Sequence, residues 1–426
     1  MLQTFALKLH HNRRADPAAG YGSDLQSILS LKGHAAALRE VSAWPGYAPT
    51  PLIELPGLAR AAGIGRLWYK DEATRFGLGS FKALGGAYAV YRLLAAEIAR
   101  RRRGAPPSSA DLLAGRHRDI AADITVATAT DGNHGRSVAW GAQLFGARAV
   151  IYIHATVSEG RRAAIARYGA EVVRVAGNYD DSVHQVAADA ARHGWFVVSD
   201  TSYPGYRDIP CQVMQGYSIM AGEVIDQLPT SAGQTTRPTH AFIQGGVGGL
   251  AAAVLAQLWE SWGPRAPALP DPGGRPRTVA VEPERADCLY QSALHGQPTK
   301  SPGDLDTLMA GLAAGEVSLA AWDVLDRGCD DFLVIPDAAA VQAMRLLAEG
   351  LGGDRPVVGG EAGVGGLAGL LAAAADREAR PALGLDETAR VLVIGSEGDT
   401  DAELYGRIVG RTGDAVRAAA ANWLAR

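Results

Sequence analysis

Arg75-Phe76-Gly77-Leu78-Gly79-Ser80-Phe81-Lys82-Ala83-Leu84-Gly85-Gly86 is the stretch on which the reading of this chain turns. Its lysine stands among small, apolar and aromatic neighbours and opens the run Ala83 to Leu93. Burial disfavours an ammonium, so the setting predicts a lowered Lys82 pKa and a usable amine nucleophile and base. Far downstream, Gly245-Gly246-Val247-Gly248-Gly249 follows the apolar run Ala241-Phe242-Ile243. Glycines let backbone N–H groups approach an anion, and a helix N-terminus adds positive potential.

The surrounding chain sets the frame. It has 426 residues, 47% hydrophobic and 20% charged, which suits two domains with buried cores. A formal net charge of -4 gives no sign of a polyanionic partner such as nucleic acid. The richest basic run, Arg100-Arg101-Arg102-Arg103, ends a helix expected over Val90 to Arg100, where cations complement the helix dipole. Cys211, Cys288 and Cys329 are odd in number and widely spaced, so neither a disulfide framework nor a zinc set is expected. The N-terminal residues show no basic region leading into an apolar stretch, and Leu367 to Ala375 is too short to span a bilayer. The expectation is a cytoplasmic protein with no membrane partner and no metal.

Short apolar runs alternate with amphipathic ones. Ile124 to Thr130, Ala149 to His154, Glu171 to Val175 and Trp195 to Ser199 are predicted strands, with helices over Glu159 to Tyr168 and Asp181 to Arg192. A second series has strands at Thr239 to Gln244, Thr278 to Val281, Phe332 to Ile335 and Val391 to Ile394, and helices at Leu250 to Trp262 and Ala338 to Glu349. Such alternation predicts an α/β chain of two domains with mostly parallel sheets and a cleft between them. The expected boundaries are a large domain of residues 1–84 and 219–426 and a small one of residues 85–218.

Each motif has a plainer reading. Gly245 to Gly249 lacks the Gly-Lys-Ser/Thr ending of an ATP loop and the spacing of a dinucleotide fingerprint, and is otherwise a tight strand-to-helix turn. The glycines before Lys82 miss the kinase pattern. Thr130-Asp131-Gly132-Asn133-His134-Gly135-Arg136 follows a strand and opens a helix, where Asp131 is suited to capping and His134 to a structural hydrogen bond. Asp200, in Ser199-Asp200-Thr201-Ser202, fits an ordinary turn. Gly395-Ser396-Glu397-Gly398-Asp399-Thr400-Asp401 is acidic but fits no EF-hand pattern. A lysine able to form a Schiff base and a loop able to hold a phosphate are both required by one small molecule, pyridoxal phosphate.

In order, Ser-Phe-Lys, Gly-Asn-His-Gly, the glycine loop and a Ser-containing strand end resemble the fold type II pyridoxal phosphate enzymes, from about Pro51 to Asp401. Lys70-Asp71-Glu72, Met214-Gln215-Gly216 and Thr307-Leu308-Met309-Ala310-Gly311-Leu312 narrow the resemblance to the diaminopropionate ammonia-lyases. The resemblance implies Lys82 as Schiff-base lysine, Asn133 as partner of the cofactor's 3′-oxygen, and Gly245, Gly246, Val247, Gly248 and Gly249 as phosphate cradle. It implies Asp131 and Asp200 as catalytic carboxylates and Ser396 as partner of the pyridine nitrogen, although Gly395 stands where some relatives carry a serine. It further implies a homodimer acting on a small amino-acid substrate.

The implied reaction is β-elimination of ammonia from D- and L-2,3-diaminopropionate. Relatives acting on serine or threonine usually have a small residue in place of Asp131. A serine/threonine dehydratase or β-replacement enzyme is the alternative of the same class. A pyridoxal phosphate-binding protein without turnover is the alternative of another class, and Lys82 with Asp131 and Asp200 argues against it.

Overall fold

Runs rich in Val, Ile, Leu and Ala form the interior strands, which are apolar because both sheet faces are covered. The computed structural model describes residues 2–130, 132–177, 179–231, 234–265 and 274–425. In chain order the strands are β1 (Lys8–His11), β2 (Leu52–Glu54), β3 (Arg66–Asp71), β4 (Thr125–Ala129), β5 (Arg148–Ile153), β6 (Glu171–Arg174), β7 (Phe196–Val197), β8 (Thr230–Ser231), β9 (Gln234–Thr235), β10 (His240–Gln244), β11 (Arg277–Pro283), β12 (Asp331–Ile335) and β13 (Arg390–Gly395).

The chain divides into two units. The larger comprises Met1–Ser30, Pro49–Thr74 and Met220–Arg426, and the smaller Leu31–Ala48 and Arg75–Ile219. Leu31–Ala48 and residues 75–84, expected in the large domain, thus lie in the smaller unit. The helix Leu31–Val41 packs on the helices Lys82–Arg102 and Ser109–Leu113. The first turn of Lys82–Arg102 also cannot be parted from the rest of that helix.

The larger unit holds a seven-stranded sheet in the order β1-β12-β11-β10-β13-β3-β2. The five inner strands are parallel, while β1 and β2 run antiparallel at the two edges. On it lies the helix Gly365–Ala375, which touches β10 to β13 and is apolar all round. Such a helix belongs in a core. Leu367, Leu370 and Leu371 are buried there with Phe242, Val281, Leu333 and Val393.

The smaller unit holds a four-stranded parallel sheet in the order β6-β5-β4-β7. Ala127, Ala129, Val150, Tyr152 and Val186 form a core on it. In a parallel sheet all strands end on one side, so the residues after β4 and β7 emerge at the same edge, as do those after β10 and β13. Among the described residues no helix is long and apolar enough to cross a membrane.

Leu370 is fully buried, and Leu370→Ala is expected to cost about 2–5 kcal/mol by denaturant unfolding of the cofactor-free protein. A loss under about 1 kcal/mol would place this helix outside the core.

Candidate active site

In the smaller unit, Lys82 is the first residue of the helix Lys82–Arg102. The loop before it is anchored by the buried Arg136, whose Nη1 donates to Leu78 O at 2.8 Å. Lys82 Nζ donates to Asp200 Oδ2 at 2.5 Å, and it lies 5.4 Å from the centre of the Phe81 ring and 5.7 Å from that of Tyr217. Asp200 follows β7. The turn that carries it is held by the Tyr206 hydroxyl, which accepts from Ser199 N at 3.0 Å and donates to Val197 O at 2.9 Å.

His134, buried in the first turn of the helix Asn133–Phe145, donates from Nε2 to Val198 O at 2.8 Å. A carbonyl can only accept, so Nε2 carries the proton. Nδ1 then has a bare lone pair, makes no hydrogen bond among the described residues, and stands 3.8 Å from Asp200 Oδ2.

The electrostatics correct one expectation. Burial does push the Lys82 ammonium down, but the adjoining Asp200 carboxylate and its hydrogen bond more than offset this, and the pKa is raised. The pair therefore favours the protonated form of Lys82, which sequence reading missed because the partner is 118 residues away. Burial acts on Asp200 in the opposite sense, yet the Lys82 charge and hydrogen bond hold its carboxyl well below the usual range. His134 is lowered, first by burial and then by the Lys82 charge, against the opposing pull of Asp200. Its imidazole is neutral at neutral pH.

Asn133 is the first residue of its helix. Asp131 lies outside the described residues. Beside it, Thr130 Oγ1 accepts from Gly132 N and Gly135 N, both at 3.0 Å.

In the larger unit, β10 leads through Gly245–Gly248 into the helix Gly249–Trp262. Gly246 and Gly248 have φ of +66° and +97°, which favours glycine. Gly245 N donates to Val281 O. Among the described residues no acceptor takes the N–H of Gly246, Val247 or Gly248, and Gly246 and Gly248 are buried. Below the loop, Glu282 accepts from Leu289 N at 2.9 Å and Tyr290 N at 2.7 Å, and burial pushes its carboxyl up to about 8.

Ser396 follows β13, the strand next to β10. Its Oγ accepts from Gln244 Nε2 at 2.6 Å. Gly395 cannot carry a side chain, because a Cβ there would lie 2.1 Å from the Tyr69 ring. Ser396 is therefore the first hydroxyl beyond this strand. Sequence reasoning passed over Gln244 and Glu282, although each puts a polar side chain at the end of an apolar strand.

The structure thus brings Lys82, Asp200 and His134 together in one unit, and the glycine loop, Gln244 and Ser396 in the other. A lysine paired to a carboxylate, and unspent backbone donors at a helix N-terminus, mark an amine-based enzyme that handles a phosphorylated cofactor.

The family described as pyridoxal-phosphate dependent enzyme matches residues 43–397. Diaminopropionate ammonia-lyase from Escherichia coli (strain K12) is 40% identical over 370 residues, covering 85% of this chain and 88% of that one. The same-named protein from Salmonella typhimurium (strain LT2) is 38% identical over 400 residues, covering 92% and 95%. The crystal structure of the Escherichia coli diaminopropionate ammonia-lyase in complex with D-serine superposes with a TM-score of 0.84 at 35% identity, covering 96% of this chain and 98% of that one. The chain belongs to the pyridoxal-phosphate dependent enzymes, in the family of the diaminopropionate ammonia-lyases.

The residues present fit the cofactor. The unpaired N–H groups of Gly246, Val247 and Gly248 suit a phosphate. The Ser396 hydroxyl, buried and accepting from Gln244, donates to nothing among the described residues and so has a proton to offer.

Removing the Asp200 charge leaves burial opposed only by the weaker pull of Tyr217 on Lys82. In cofactor-free Asp200→Asn, acetylation of Lys82 followed by peptide mass spectrometry is expected to set in roughly 1–3 pH units lower than in the parent. An unchanged profile would show that Asp200 does not control the charge of the lysine.

Proposed function

We propose that this chain is a diaminopropionate ammonia-lyase, turning 2,3-diaminopropionate and water into pyruvate and two ammonia, and that it accepts both D- and L-isomers. The observation that carries the reading is the Lys82–Asp200 ion pair with the neutral His134 behind it. In this reading Lys82 bonds the cofactor, Asn133 partners its 3′-oxygen, Gly245 to Gly249 cradle its phosphate, and Ser396 faces its pyridine nitrogen. Pyridoxal phosphate, when bound, supplies an electron-withdrawing ring conjugated to the substrate's α-amine.

The protein's own groups do the rest. Lys82 Nζ, once neutral and free, takes the Cα proton of the L-isomer. Asp131 takes that of the D-isomer from the other face. Asp200, hydrogen-bonded to Lys82 with His134 Nδ1 3.8 Å from its Oδ2, orients the substrate or relays a proton. Asp131 also selects the substrate, because a β-amino group leaves well only when protonated and an anionic carboxylate holds that ammonium. At ~4 Å and an effective dielectric near 20, the pair is worth up to roughly 4 kcal/mol before desolvation is deducted. A serine substrate offers no cation there.

We also read the protein as a cytoplasmic homodimer. The three free cysteines support a reducing compartment, and the dimer rests on the resemblance alone.

Pyruvate and ammonia release should be assayed with D- and L-diaminopropionate, serine and threonine. Turnover of the diamino acid well above the hydroxy amino acids is expected. Preference for serine or threonine would replace the reading with a dehydratase.

Asp131→Asn keeps size and capping ability and removes the charge. A near-native fold with bound pyridoxal phosphate is expected, with a loss of activity on the D-isomer exceeding that on the L-isomer by roughly 100-fold or more. Equal losses would reduce Asp131 to a substrate anchor, and unchanged activity would remove it from the reaction.

A further inference from the structure

We propose that Gln244 is a positioning residue that fixes the Ser396 hydroxyl as a hydrogen-bond donor toward the cofactor's pyridine nitrogen. The inference rests on the reading above that Ser396 faces that nitrogen. It concerns a side chain that no sequence motif singled out.

Gln244 is the last residue of β10 and is 1% exposed. Its Nε2 faces Gly363 O at 3.1 Å, Ile394 O at 3.0 Å and Ser396 Oγ at 2.6 Å. Two of these are backbone carbonyls, which only accept. The amide must therefore present its nitrogen here, since the flipped orientation would set oxygen against two oxygens. An amide nitrogen cannot accept, so the 2.6 Å contact runs from Nε2 to the Ser396 oxygen, the two amide hydrogens being shared among the three acceptors. The single hydroxyl hydrogen of Ser396 is thereby turned elsewhere, and among the described residues nothing takes it.

The arrangement is costly on its own terms. Gln244 Oε1 is buried and makes no hydrogen bond among the described residues, a penalty that methionine would not incur. The packing also makes room for the amide. A Cβ on Gly366 would stand 3.2 Å from Gln244 Oε1, and one on Gly365 3.0 Å from Gln244 Cβ.

A neutral donor bonds a pyridine nitrogen only when that nitrogen is unprotonated. Gln244 thus acts through Ser396 on the charge of the ring. An unprotonated ring withdraws electrons less strongly, which favours departure of a β-substituent over prolonged storage of negative charge at Cα.

The test uses Gln244→Met, which keeps length and removes the donor, together with Ser396→Ala and the double variant. Cofactor-free proteins are titrated with pyridoxal phosphate, and ring-15N-labelled cofactor is observed by NMR in each holoprotein. In the parent, the 15N signal should lie in the range of an unprotonated, hydrogen-bonded pyridine. Gln244→Met should raise the dissociation constant roughly three- to tenfold and move the signal. Ser396→Ala should then add little on the Gln244→Met background, as expected for two residues acting through one bond.

A pyridinium signal in the parent overturns the proposal without any variant, so it remains testable if Gln244→Met fails to fold. Unchanged affinity and signal in a folded Gln244→Met, while Ser396→Ala changes both, overturns the role of Gln244 alone. Ser396→Ala indistinguishable from the parent removes the Ser396 assignment and this inference with it. A parent that binds no pyridoxal phosphate would instead sink the functional reading itself.

Discussion

A partly buried ammonium must find a counter-charge or lose its proton, and much of the smaller unit is arranged around the answer given to Lys82. Its Nζ meets Asp200 at 2.5 Å, and breaking such a pair by removing one partner leaves the other uncompensated. Asp200 must therefore be held in place, yet β7 before it has only two residues in its ladder. The backbone beyond β7 is secured by side chains instead. Tyr206 bridges Val197 and Ser199, and His134 takes up Val198 O. These two residues stabilise the strand end locally and in doing so aim the carboxylate.

The larger unit poses a different problem, since in the proposed reading its glycine loop holds an anion without a cationic side chain of its own. Backbone N–H groups left unpaired between β10 and the helix Gly249–Trp262 are suited to this, and Glu282 beneath has its own carboxyl shifted towards the neutral form. An ionised carboxylate under a phosphate would repel it. The raised pKa of Glu282 keeps that repulsion small at neutral pH, while both of its oxygens still accept backbone hydrogen bonds.

Fold and site were legible in the sequence to different depths. Apolar runs of four or more residues gave the inner strands β4, β5, β10, β12 and β13 to within a residue or so at each end. β3 was missed because Lys70 interrupts its pattern. That lysine is fully buried, satisfied by Thr50 O and by Glu223, 153 residues away. The edge strands β1 and β2 are too short to show periodicity. The candidate lysine, glycine loop and strand-end residues were readable because short motifs carry them. What was not readable was anything set by a distant partner: the charge state of Lys82 and the Gln244–Ser396 bond. Local sequence reports local geometry. A pKa is the sum of desolvation and of charges brought in by the fold.

That sum also bears on how the site starts. Lys82 has to lose a proton to act as an amine, yet the resting pair favours the charged form. The neighbouring acceptors are both poor. Asp200 is held well below the usual carboxylate range and the neutral imidazole of His134 is itself lowered. The Lys82–Asp200 pair therefore opposes proton loss from Lys82. The same pairing that stabilises the cofactor-free fold thus keeps the amine unreactive toward chance electrophiles.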